Sequence, residues 1–149
     1  VLKYNMYNNI GEGDKRKMRK RLGHAILVLM ALCMYLQWGR GVSVKNTISS
    51  SWDGKRAEHI TVVVNRLYIR NKEALALELV ETCINNEFRD VRFSYDMGYP
   101  VEIRMDVYIN EASWKRGIRC FEVLFAQPEE EQYRYNVKDN RERFVMTVK

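Results

Sequence analysis

The chain has 149 residues, 46% hydrophobic and 30% charged, with 25 Lys and Arg against 19 Asp and Glu and a formal net charge of +6. The whole surplus lies in residues 1–41, which hold 8 cations and 2 anions, while residues 42–149 hold 17 of each. A neutral body excludes nucleic acid as a partner, because phosphate binding needs surplus cations on the working domain. The 108 residues after position 41 suffice for one small domain and not for two.

In chain order, residues 1–14 (VLKYNMYNNIGEGD) show neither apolar periodicity nor a helix cap and read as disordered, as part of a basic N-terminus over residues 1–21. Six cations then fall within residues 15–21, directly before an apolar run, LGHAILVLMALCMYLQW, that opens at Leu22 and closes at Trp38. Lys and Arg resist translocation and stay on the cytoplasmic side while the apolar segment partitions into the bilayer, so the expected membrane contact is residues 22–38 and the chain after Trp38 lies outside the cytoplasm. The run's 17 residues fall between the ~7–15 of a signal h-region and the roughly 20 of a spanning helix. Cleavage near Gly41, with Gly39 and Gly41 as the small residues, gives a secreted protein. Retention, with Tyr35 and Trp38 as interfacial anchors, gives a membrane protein. Leu32 before Cys33 does not suit lipidation. A start at Met18 gives the order cations, apolar run, small residues, and under that reading residues 1–17 are not translated.

Residues 39–58 are rich in Gly, Ser and Asn and read as a flexible linker, with Trp52 folding back onto the domain that begins at His59. Residues 60–64 read as a central strand that resumes over 67–69 past a bulge at Asn65-Arg66. Asn71 is the expected N-cap of a helix over 72–86, whose apolar side is Ala76, Leu79, Val80 and Cys83, widened by Leu77 and Ile84. Residues 91–95, 101–109 and 118–126 read as a three-stranded antiparallel meander, with Val101, Ile103, Met105, Val107 and Ile109 facing in. Short strands follow over 133–137 and 144–148. The expected fold is α+β in two layers: one amphipathic helix packed on a mainly antiparallel sheet, in the order β-α-β-β-β plus a short C-terminal strand.

Chemistry-bearing residues are sparse. A hydrolase triad would rest on His59 alone, since His24 lies in the apolar run, and no Gly-x-Ser-x-Gly turn is present. Beyond that run Cys83, Cys120 and His59 are isolated, so no metal site is expected; no Gly-rich loop precedes a helix, so no cofactor is expected either. Glu102 and Asp106 share the outer face of one strand with Arg104 between them, and Asp96 sits in the adjoining turn; these are the candidate acid and base of a glycan-acting enzyme, or a charge-paired sheet face. Cys83 and Cys120 fall in elements expected to pack together, where they either form a disulfide or fill two apolar positions. The candidate binding residues are Arg92, Arg104, Tyr95, Tyr99, Tyr108 and Trp114, because aromatics interleaved with Arg suit a protein or carbohydrate ligand.

Three segments, Phe93-Ser94-Tyr95-Asp96 leading to Gly98-Tyr99-Pro100, Leu67 to Glu73 (LYIRNKE), and Tyr135 to Asn140 (YNVKDN), together resemble small uncharacterised exported proteins of Gram-positive bacteria. The resemblance covers residues 60–149 and implies an envelope location; it brings no activity and no site residue. The leading expectation is a membrane-tethered or secreted non-enzymatic binding domain at the bacterial cell envelope, using the outer aromatic and Arg face. The alternatives are a cell-wall or glycan-acting hydrolase and an accessory subunit, of sensor or immunity type, of a membrane complex.

Overall fold

Asp53 and Gly54 both have positive φ, 46° and 73°, which is the backbone of a two-residue type I′ turn and matches the right-handed twist of a hairpin. They join β1 (Ser43–Trp52) to β2 (Lys55–Val63) in antiparallel register, with a bulge between Val44 and Asn46. The expected flexible linker over 39–58 is therefore mostly a hairpin. Its Ser-rich composition misleads because small hydroxyl residues fit an edge strand with little to bury. Trp52 ends β1 with its ring edge-on to Tyr133, 5.1 Å between centroids.

The computed structural model describes the backbone of residues 2–96, 98–131 and 133–149, and their side chains from Lys15 onward except at 131. The chain divides into two units, Val1–Gly39 and Arg40–Lys149. The first is α1 (Leu2–Met34), which continues into a π-helical turn over Tyr35–Gly39. Disorder was the expectation for residues 1–14, yet 2–14 are helical; extending an existing helix adds one hydrogen bond per residue fixed, so the apolar run carries its neighbours. Within this unit Lys15–Gly39 is long and apolar enough to cross a membrane. Its apolar part, residues 22–38, rises about 25 Å, against the ~30 Å of a hydrocarbon core, with the cations of 15–21 at one end. Leu27, Val28 and Leu29 within it are each at least 60% exposed.

In the second unit α2 (Lys72–Ile84) follows β2 and is capped as expected, the Asn71 side chain accepting from the Ala74 amide at 2.9 Å. It buries Leu75, Ala76, Leu79, Val80, Cys83 and Ile84, while Leu77 is exposed. Then come β3 (Glu102–Tyr108), α3 (Glu111–Lys115), β4 (Phe121–Ala126) and β5 (Val145–Val148). The sheet order is β1-β2-β3-β4-β5, antiparallel except where β2 and β3 run parallel across the α2 crossover. The fold is α+β, with helix and loops on one face of a mixed five-stranded sheet. The core lies between Ile60, Val62, Ile103, Met105, Val107, Phe121 and Val123 of the sheet and α2, Phe88, Phe93, Val137 and Phe144 beneath it.

Three expected strands are irregular, and two of them for the same reason. At 91–95 the alternation buries Phe93, but the ladder partner is a side chain: Asn86 Oδ1 accepts from the Phe93 amide at 2.8 Å and its Nδ2 donates to the Phe93 carbonyl at 2.9 Å. At 133–137 Gln127 acts alike, accepting from the Arg134 and Tyr135 amides and donating to the Tyr135 carbonyl. Residues 67–69 form no strand; the Arg66 amide bonds to the Ile109 carbonyl, and the chain leaves the sheet there. The meander holds only over β3, β4 and β5.

Candidate functional site

Alternation along β3 sends Ile103, Met105 and Val107 into the core and leaves Glu102, Arg104, Asp106 and Tyr108 on the opposite face. Register then assembles that face from all five strands. Thr61, Asp106 and Glu122 form one row; Ile48, His59, Arg104, Leu124 and Thr147 form the next; Ser50, Ala57, Glu102, Ala126 and Val145 form a third.

Asp106 is the hub of this face. His59 Nε2 lies 2.8 Å from its Oδ2, and Arg119 donates to its Oδ1 at 2.5 Å. Arg119 also reaches Glu122, the residue directly opposite Asp106, at 3.2 Å, and so neutralises two carboxylates that would otherwise repel. Arg104 lies 3.8 Å from Glu122 and 3.5 Å from Glu102. Burial raises the Asp106 carboxyl, but the hydrogen bonds from Arg119 and His59 outweigh it and hold the group below the usual carboxylate range. The same pairing pushes the Arg119 guanidinium up. Beside this network Ile48, Ser50, Ala57, His59, Glu102 and Arg104 line a shallow dish of about 170 Å³.

The structure brings some expected site residues together and separates others. Glu102 and Asp106 do share the outer face, but four residues at ~3.3 Å each put their Cα atoms about 13 Å apart, and each carboxylate is occupied by a basic partner. Asp96 lies in a loop, where the Ser94 hydroxyl donates to it at 2.7 Å. Arg104 and Tyr108 are on the open face. Tyr95 and Tyr99 pack against the core, with ring centroids 4.7 Å apart, and the Tyr95 hydroxyl donates to the Cys83 carbonyl at 2.7 Å. Arg92 donates to the Asn86 carbonyl from that same loop. Trp114 belongs to α3, with Lys45 Nζ 5.4 Å from its ring centre. The expected aromatic and Arg face is thus divided, because 91–99 is not a strand and its alternation does not map onto the sheet.

Cys83 and Cys120 are free thiols at apolar positions, so the disulfide alternative is replaced by packing. Burial pushes the Cys83 thiol up to about 12, which keeps it protonated and unreactive. Among the described residues no group of His, Cys, Asp and Glu is placed to hold a metal.

Alternation along β3 identifies Arg104 and Asp106 but not Glu122, and leaves His59 without a partner. The missing information was strand order, since only the parallel β2-β3 pairing sets His59 beside Asp106. A second network, with no signal in the alternation, lies on the covered face: Glu58, 1% exposed, accepts from Arg56 and from the Ser49 hydroxyl at 2.6 Å, and Arg56 also donates to the Ser94 carbonyl. Searches against protein-family models, curated proteins and solved structures give no match.

Proposed function

We propose that the chain is an exported, non-enzymatic binding domain at the bacterial cell envelope, held at the membrane by an uncleaved α1 and recognising its partner through the open face of the sheet. The observation that carries this is the one-sidedness of the sheet. Helix and loops cover one face, while the other displays a fixed lattice of His59, Asp106, Arg119, Glu122, Arg104 and Glu102 flanked by the exposed Ile48 and Val145.

A dish of about 170 Å³ is smaller than the ~300–1,000 Å³ typical of small-molecule pockets, which favours a macromolecular surface, a protein or a carbohydrate chain of the envelope, over a diffusible small ligand. Charges already paired within the face add register and specificity more than affinity. The basic run before the apolar segment supports the outward orientation of the domain. Acid and base roles for Glu102 and Asp106 draw no support from the site, because each carboxylate is already engaged by a basic partner, Arg104 for Glu102 and Arg119 with His59 for Asp106.

A photo-cross-linking residue placed at Thr147 on the open face should give a discrete adduct in intact cells, lost on Arg104→Glu. The same probe at Glu73, on the exposed side of α2, should give none. Equal labelling from both positions, or none from either, would remove the open face as the recognition surface.

A further inference from the structure

β1 is an edge strand: the Val44 amide near its start donates to Asp90, but from Thr47 to Ser51 no other part of the described chain pairs with its outer side. Across a two-residue hairpin the pair flanking the turn exchanges both backbone hydrogen bonds, and bonded pairs recur at every second residue. With Trp52 opposite Lys55, the backbone groups of Trp52, Ser50 and Ile48 point at β2, and those of Thr47, Ser49 and Ser51 point away from the sheet. Among the described residues no backbone hydrogen bond from elsewhere in the chain reaches these three, and Ser49 and Ser51 are exposed.

The two edges of the sheet differ in how they are protected. β5 is short, with 4 residues. β1 has 10, and beyond its bulge at Lys45 the segment NTISSSW carries no charge and no Pro. Folded proteins usually blunt an exposed edge with charge, Pro, a bulge or brevity, and this one lacks all four over 46–52.

We infer that β1 pairs with β1 of a second copy, antiparallel about Ser49, so that two sheets become one. A two-fold axis at Ser49 places it opposite Ser49 of the second copy, and Thr47 opposite Ser51. Every outward N–H then meets an outward C=O, with three donors from each copy. The intervening pairs are Ile48 with Ser50 and Asn46 with Trp52, so no like charges meet. This self-complementarity selects the second copy over a foreign strand, and two-fold closure uses up the long edge, so assembly stops at the dimer. The edge is distinct from the open face and stands or falls independently of it.

The test uses the full chain in detergent micelles, in a Cys33→Ser, Cys120→Ser background. Light scattering after correction for bound detergent should give twice the chain mass. Non-bonded antiparallel partners have Cα atoms ~4.5 Å apart, within disulfide range, so a chain carrying Ile48→Cys mixed with one carrying Ser50→Cys should form a disulfide-linked pair on oxidation. Thr47→Pro removes an outward N–H while sparing the β2 ladder, and should halve the mass with the far-UV spectrum unchanged. A single chain mass for the unmodified protein, or a dimer that yields no 48–50 cross-link and survives Thr47→Pro, overturns the inference. If Thr47→Pro unfolds the domain, the cross-link alone decides.

Discussion

At the scale of single residues, two charge networks sit on opposite faces of one sheet and differ in cost because they differ in burial. Glu58 is enclosed, and removing it strands Arg56, whose side chain is only 17% exposed. Glu58→Ala should destabilise the domain by about 3 kcal/mol in urea unfolding, since breaking a buried pair leaves its partner unpaired; a loss near zero would mean that water reaches Arg56. Asp106 is nearer the solvent, and its contribution shows best in pH. Its carboxyl is lowered in the folded state, so its stabilisation is fully present above the unfolded value near 3.8 and is lost as pH falls through the lower folded value. Asp106→Asn should cost up to about 1 kcal/mol at neutral pH and should shrink that acid-side loss in a melting series between pH 6 and about 2.

At the scale of elements, the hairpin depends on backbone conformation rather than on side-chain contact. A Cβ at Gly54 would meet nothing within 4 Å, yet φ there is 73°. Gly54→Ala should therefore cost about 1 kcal/mol through the left-handed backbone alone, read as a lowered urea midpoint at constant slope. What could be read from the sequence follows the same division. α2 and β3 were legible because Asn71 is a cap, because Ala76, Leu79, Val80 and Cys83 keep helical period, and because 101–107 alternates without a break. The hairpin was hidden by a Ser-rich composition that resembles a linker, and 91–95 and 133–137 mimicked strands because Asn86 and Gln127 take the place of a neighbouring strand. Half of the open face was visible as the outer residues of β3. The other half, His59 and Glu122, depended on which strands lie beside β3, and alternation carries no record of neighbours.

At the scale of the molecule, the cations precede the apolar run and the neutral α+β unit follows it, an order that a single inserted helix with the folded unit outside would explain. Residues 22–38 are an exposed apolar run within a helix long and apolar enough to cross a membrane, and the folded unit is balanced in charge and one-sided in its sheet. The most direct test is protease treatment of intact cells followed by fractionation and mass analysis of the chain. A membrane-bound chain that retains residues 22–38, with residues 40–149 accessible to added protease, is the expected result. Recovery of the intact chain from the soluble cytoplasmic fraction, protected until the cells are lysed, would contradict it.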